Sequence, residues 1–165
     1  MTRDLTIASE FALYFAYGSN LLSRRMRARI SSARAVGTGW VDGHRLSLGK
    51  PGRDGSGKAT LIADPDARVW GALYAIDPAH WKKLDGFEPG YTRVALVVTT
   101  ERGERMRAST YVAPDTASDA VAFTWYKRCI VDGAREHDLP AHYVEDLLQL
   151  PERPDPNRLS PEPIS

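Results

Sequence analysis

One cysteine, three methionines and four histidines are all that this 165-residue chain has of sulfur and imidazole. Cys129 alone cannot close an internal disulfide, so a disulfide framework is excluded and a reducing compartment is permitted. With no second cysteine, and with His44, His80, His137 and His142 scattered, the ligand spacing of a structural zinc site is missing. Neither sign of charge prevails: 22 basic against 21 acidic residues give a net charge of +1, so no overall field draws nucleic acid or an acidic membrane surface. No apolar run approaches membrane-spanning length, and Met1-Thr2-Arg3-Asp4-Leu5-Thr6 lacks the apolar core of a secretory signal. These absences predict a cytoplasmic protein whose partner is a small molecule, not nucleic acid or a membrane.

What is present is enough for one core. At 42% hydrophobic the chain can bury a single compact domain and is too short for two. Five of the eleven prolines fall between Pro151 and Pro163, where apolar residues thin out. The expected organisation is therefore one domain over residues 1–150 and an extended or disordered Pro-rich tail over 151–165.

Hydrophobic periodicity orders the elements. Phe11 to Tyr17 read as a strand buried on both faces, and Leu21, Leu22, Met26 and Ile30 then recur at helical spacing. From Ala33 to Ala75 short β-rich pieces alternate with glycine turns. Trp40-Val41 and His44 to Leu48 flank Asp42-Gly43, a hairpin signal, and Ala59–Ala63 and Val69–Ile76 read as two further strands. Asp77-Pro78 predicts an N-cap and first-turn proline for a short helix through Trp81 and Leu84, ended by Asp85-Gly86. Tyr91–Thr100 and Arg105–Val112 form a second hairpin around residues 101–104. One helix follows with Trp125, Ile130 and Ala134 on its buried face, and another after Leu139-Pro140 with Tyr143, Leu147 and Leu148. Hairpin-joined strands with helices at the ends predict an α+β fold: a mainly antiparallel, partly closed, barrel-like sheet with helices packed around it.

Two places concentrate chemistry. At Tyr17-Gly18-Ser19-Asn20 an apolar strand stops at small and polar residues. Glycine permits positive φ and close backbone approach, Ser19 or Asn20 can cap the following helix, and the turn offers N–H groups to a carboxylate, phosphate or oxyanion. The residues alone fit a plain strand-to-helix turn equally well. In Leu84-Asp85-Gly86-Phe87-Glu88-Pro89-Gly90-Tyr91, Glu88 sits in a glycine-bracketed loop beside an aromatic ring that could desolvate it and raise its pKa. By itself the segment reads first as a solvated loop glutamate, with Asp85 a turn residue.

Tyr14-Phe15-Ala16-Tyr17-Gly18-Ser19-Asn20-Leu21 resembles the signature of the γ-glutamylcyclotransferases. The Glu88 segment is similar to the place where that family carries its catalytic glutamate. Residues 126–140, a tyrosine and basic pair before Gly-Ala, a charged stretch and Leu-Pro, resemble its late helix. The three matches span Tyr14 to Leu150. The resemblance implies Glu88 as catalytic acid/base, and a substrate wall made of Tyr17, Gly18, Ser19, Asn20 and Leu21. It also places Tyr91, Tyr111 and Tyr126 at or near the cavity, where each could equally be a core aromatic. It implies release of 5-oxoproline from a γ-glutamyl substrate without metal or other cofactor, a setting in glutathione metabolism, and relatives similar to homodimers. No surface stripe in the sequence marks an interface.

Rival readings remain open at this level. The same fold could act on γ-glutamyl-amine adducts or a γ-glutamyl-protected biosynthetic intermediate, or be a noncatalytic anion- or peptide-binding module. Gly52 to Thr60 approaches P-loop spacing, but Ala59 stands where serine or threonine should hold magnesium, and strand follows where a helix is required. That segment reads instead as a hairpin loop near the site mouth. Ser19 has no histidine at a motif spacing, which disfavours a Ser-His hydrolase. Cys129 and the four histidines read as packing or surface residues.

Overall fold

The computed structural model describes residues 11–114 and 119–158. The N-terminal segment Met1–Thr6 and the last seven residues of the Pro-rich tail lie outside them.

Five strands close into a barrel in the order β1-β3-β2-β4-β5. Strand β1 (Ala12–Ala16) pairs antiparallel with β3 (Gly57–Ile76), with Tyr14 opposite Tyr74, and β3 pairs antiparallel with β2 (Arg34–Pro51). Strands β4 (Thr92–Thr100) and β5 (Arg105–Val112) form the predicted hairpin. The closing contacts are short: Gly39 and Trp40 of β2 meet Thr100 and Thr99, and Tyr14 of β1 meets Ser109 of β5 in parallel. The predicted α+β, mainly antiparallel barrel is the observed fold. Tyr14, Phe15 and Ala16 are all buried, as a strand covered on both faces requires.

The expected hairpin at Asp42-Gly43 does not form. Strand β2 runs straight through it, and its partner jumps from Arg68 opposite Asp42 to Ala63 opposite His44. Gly43, at φ +77°, makes an irregularity in one long strand, because the backbone angle that suits a tight hairpin suits a bulge equally. The two strands predicted at 59–63 and 69–76 are accordingly one. The chain reverses instead between Pro51 and Gly57, so the Gly-rich segment is a hairpin loop and not a P-loop.

Helices pack against one end of the sheet. Tyr17 leads into a 3-10 turn, Ser19–Leu21, followed by α1 (Ser23–Arg29), in which Met26 is fully buried. A 3-10 turn at Pro78–His80, capped by the Asp77 side chain accepting from Ala79 N at 2.9 Å, opens α2 (Trp81–Gly86). Helix α3 (Thr124–Glu136) buries Ile130, Ala134 and Cys129, as predicted, whereas Trp125, expected on the same buried face, is only half-buried and donates from Nε1 to Asp155 Oδ2 at 3.0 Å; α4 (Ala141–Leu148) buries Tyr143 and Leu147 and leaves Leu148 at the surface. The first part of the Pro-rich segment lies against this layer: β7 (Glu152–Arg153) pairs in parallel with β6 (Ala122–Phe123). Lys127, nearly buried, donates from Nζ to the carbonyls of Leu148 at 2.7 Å and Leu150 at 2.8 Å and pairs with Glu152. No described helix is long and apolar enough to cross a membrane.

Helix α3 matters most for the site because it braces the 3-10 turn from behind. Gly133 presses so closely on Leu21 that a Cβ there would lie 2.5 Å from the Leu21 carbonyl carbon. Below it, His137 Nε2 and Tyr74 Oη both reach the Leu21 carbonyl, at 2.9 and 3.1 Å, and Ser23 N donates to Glu136 Oε1 at 3.0 Å. The turn after β1 is therefore clamped by Tyr74 of β3 and by α3-end residues more than a hundred positions downstream.

Candidate active site

Two connected hollows share Glu88, Tyr91, Ser19 and Tyr126. The inner one is a recess walled by Tyr14, Tyr17, Gly18, Asn20, Ala59 and Tyr111. The outer one is an open cavity of ≈ 510 Å³.

The wall at 17–20 differs in detail from the sequence expectation. Gly18 sits at φ −106°, so no left-handed backbone requires glycine there. Its smallness does the work: a Cβ would stand 3.1 Å from Ala59 Cβ and 3.7 Å from Tyr126 Oη. Neither Ser19 nor Asn20 caps α1, whose N-cap is Leu22 with no side-chain hydrogen bond. Their side chains serve the site instead. Ser19 Oγ accepts from Arg25 Nε at 3.1 Å, and Asn20 Nδ2 donates to Tyr14 Oη at 3.0 Å and to Glu88 Oε1 at 3.2 Å. The opening N–H groups of a helical turn have no acceptor within it, and Ser19 and Asn20, which open this one, line the recess. Leu21, named with this wall in the sequence, lines neither hollow; it is wholly buried.

Glu88 reaches the recess through a tight turn. Its N–H donates to the Asp85 carbonyl, closing α2, and its own carbonyl accepts from Tyr91 N at 3.2 Å. Pro89 and Gly90 at the two central positions, with Gly90 at φ +83°, carry the signature of a type II turn. The carboxylate is only 15% exposed and lies 3.7 Å from Arg29 Nη1, which also donates to Asn20 Oδ1 at 3.4 Å. Burial pushes the Glu88 carboxyl up from 4.5 to about 7, outweighing the downward pull of Arg29, Arg25, the Asn20 hydrogen bond and Lys50. An acid so placed is close to half ionised at neutral pH, the best compromise for a group that must both take and return a proton.

Five tyrosines line the recess, and their hydroxyl protons divide into two sets. Tyr17 Oη donates to the Tyr111 carbonyl, Tyr91 Oη to the Ala59 carbonyl at 2.6 Å, and Tyr111 Oη to Asp85 Oδ1 at 2.5 Å; these protons hold the walls together. Tyr126 differs, since its oxygen accepts from Ala59 N at 3.0 Å and its own proton is left for the recess. Tyr14, likewise an acceptor from Asn20, is in the same position. Burial raises the pKa of Tyr14, and that of Tyr126 to about 12, so both remain neutral donors near pH 7.

Tyr17, Gly18, Ser19, Asn20, Glu88, Tyr91, Tyr111 and Tyr126 thus come together from four separate stretches of chain. Tyr14 and Arg29 belong with them and were not singled out in the sequence. Tyr14 hides inside an apolar strand, and Arg29 looks like one more basic residue of a solvated helix. Both reach Asn20 within the β1–α1 segment, and Arg29 meets Glu88 only because the fold brings the end of α2 to α1. Asp85 does end its helix, as read, and also receives the Tyr111 proton and pairs with Arg93 at 3.5 Å.

Residues 68–147 match the model of the AIG2-like family. A γ-glutamylcyclotransferase of Bos taurus is 31% identical over 150 residues, covering 86% of this chain and 79% of the relative. The γ-glutamylcyclotransferase of Homo sapiens is 31% identical over 158 residues, covering 90% and 84%. A solved structure of a γ-glutamyl cyclotransferase superposes with a TM-score of 0.82 at 29% identity, over 92% of this chain and 94% of that one.

Proposed function

This chain belongs to the γ-glutamylcyclotransferase family, and on that premise we propose that it cyclises a γ-glutamyl unit to 5-oxoproline, with Glu88 moving the protons and the 17–20 turn holding the substrate. The observation that carries the assignment of roles is the convergence of a carboxyl poised near neutrality with that turn, joined by the Asn20–Glu88 hydrogen bond.

The substrate's α-amine enters as an ammonium with a pKa of about 8. Glu88, ionised, takes one of its protons. The freed lone pair attacks the side-chain amide carbonyl, forming the new ring C–N bond. As the tetrahedral carbon collapses, the bond to the leaving nitrogen breaks and Glu88 returns a proton to it. Over the full reaction two protons pass from the attacking to the leaving nitrogen, and Glu88 ends as it began. The N–H groups of the turn, with the uncommitted hydroxyls of Tyr14 and Tyr126, stabilise the carboxylate and the developing oxyanion. Donors fixed before the reaction can lower the barrier by several kcal/mol where water is excluded. Tyr17, Tyr91 and Tyr111 shape the recess with protons already engaged, and Leu21 supports the turn from the core.

Incubation with γ-glutamyl-alanine is expected to release 5-oxoproline; no release from any γ-glutamyl amino acid would overturn the reading. Because Glu88 must start ionised, kcat/KM is expected to rise with pH through about 7. Above the pKa of the substrate ammonium, about 8, the amine arrives already deprotonated and Glu88 relays only the proton that attack makes acidic, so the rise levels off. In Arg29→Gln a cation that pulls the Glu88 pKa down is gone, so the acidic limb moves to higher pH. An unmoved limb would assign it to another group. The cytoplasm is the compartment we infer, a setting supported by a lone, buried cysteine. A homodimer is the assembly proposed from the family, to be read by light scattering on the purified chain.

A further inference from the structure

The Gly-rich loop between β2 and β3 does not bind nucleotide in the manner of a P-loop, yet its residues are not idle. Lys50, Arg53 and Lys58 from this loop and its flanks face the outer cavity together with Arg25 and Arg29 of α1. Against these five cations the lining offers two carboxylates, Glu88 and Asp54. Each is taken: Glu88 pairs with Arg29 at 3.7 Å and Asp54 with Lys58 at 3.1 Å. Among the described residues, Arg25, Lys50 and Arg53 have no carboxylate partner. Arg25 donates to the Ser19 hydroxyl and Lys50 to the Pro89 carbonyl at 3.2 Å, while Arg53 stands exposed at the rim. The cations also burden one another. Burial holds the Lys58 ammonium below its usual pKa, and Arg25 and Arg29 push it further down despite the nearby Asp54.

The arrangement has a direction. Glu88 and Tyr91 form the boundary between recess and outer cavity, so a γ-glutamyl unit held at the 17–20 turn must send its leaving group outward past the cations. At ≈ 510 Å³ the outer cavity is of the size that takes a drug-sized ligand, far more than a small amine fills.

We propose that the outer cavity is a leaving-group subsite selective for acidic amines, namely an amino acid or short peptide bearing two or more carboxylates, held by Lys50, Arg53 and Arg25. This deepens the cyclisation reading and rests on it. The same cations disfavour γ-glutamyl conjugates of simple amines and of polyamines, whose leaving groups are uncharged or cationic.

The test compares γ-glutamyl-glutamate with γ-glutamyl-glutamine, which differ by one charge at nearly constant shape. For the wild-type protein kcat/KM is expected to favour the glutamate compound about tenfold, with the preference shrinking as ionic strength rises. Arg53→Gln, at an exposed site where folding is not at stake, reduces the ratio by about threefold, within the range of a solvent-facing ion pair. With Lys50→Gln added, the ratio falls to within about twofold of one. Equal kcat/KM for the two compounds in wild type, or a preference that survives the double substitution, overturns the proposal. Should no γ-glutamyl compound, γ-glutamyl-alanine included, yield 5-oxoproline, the cyclisation reading is what fails, and calorimetric binding of the same pair decides the subsite; turnover of γ-glutamyl-alanine with neither of the pair turned over overturns the subsite instead. Tighter, salt-sensitive binding of the glutamate compound supports it; equal binding refutes it.

Discussion

Replacing Glu88 by glutamine is expected to abolish 5-oxoproline release to within detection, a loss of about 10² to 10⁴ in kcat, while the protein stays folded. Glutamine keeps the shape and can still meet Asn20 and Arg29 through its carbonyl oxygen, so binding of a γ-glutamyl compound should change far less than turnover. Stability supplies the control, and its direction follows from the raised pKa. In the folded protein Glu88 keeps its proton up to about pH 7, whereas the unfolded chain releases it near 4.5. The folded state therefore binds more protons across that interval, so this group lowers stability as pH rises through it, and the loss is complete above 7. Glutamine carries no such charge. At pH 8 the thermal midpoint of Glu88→Gln is expected at or above that of the wild type. Turnover that persists in the variant removes Glu88 from the chemistry; a collapse in both turnover and midpoint would make it a structural residue instead.

The second large effect comes from a residue that touches no substrate. Gly133→Ala adds one carbon where the nearest atoms are the Leu21 carbonyl carbon at 2.5 Å, Leu21 Cβ at 2.6 Å and Leu22 N at 2.6 Å. Two of these are backbone, and Leu21 is tied by its carbonyl to Tyr74 and His137, so it cannot simply swing aside. Either the 19–21 turn moves toward the recess or α3 moves away from it, and α3 carries Tyr126. Overpacking of this kind destabilises by about 1–3 kcal/mol, and a displacement of about 1 Å at a reacting centre can cost about 10² in rate. Both losses are expected together, measured as a lower thermal midpoint and a lower kcat with Glu88 untouched. Gly86→Ala, one helix end away from Glu88 in sequence but with nothing within 4 Å of the added carbon, is the comparison and should leave both nearly unchanged. Full activity in Gly133→Ala would mean that α3 does not set the geometry of the turn.

Much of the molecule was legible before any coordinates. The β4–β5 hairpin around residues 101–104, the Asp77-Pro78 helix start, the buried face of α3 and the break at Leu139-Pro140 are local signals, each written in a few adjacent residues. Where local signals are degenerate, reading them alone misled. Asp42-Gly43 carries the backbone freedom of a hairpin turn, and only the register with Arg68 and Ala63 shows that it is used for an irregularity within one strand. Ser19 and Asn20 have good capping side chains, but those groups found stronger partners in Arg25, Tyr14 and Glu88. Tyr14 and Arg29 gave no signal, because one reads as part of an apolar strand and the other as a cation of a solvated helix, and neither reading shows how Asn20 and Glu88 are placed beside them.

By itself the sequence determined the kinds of element, their order, the single core and the family signature, since periodicity, turn residues and motif wording are properties of neighbours along the chain. Only the tertiary structure decided what Glu88 is. Barrel closure and the brace of α3 bring it to Asn20 and Arg29 and bury it enough to raise its pKa to about 7. Desolvation and proton affinity depend on what surrounds a group in space, and here those surroundings come from residues up to 68 positions away.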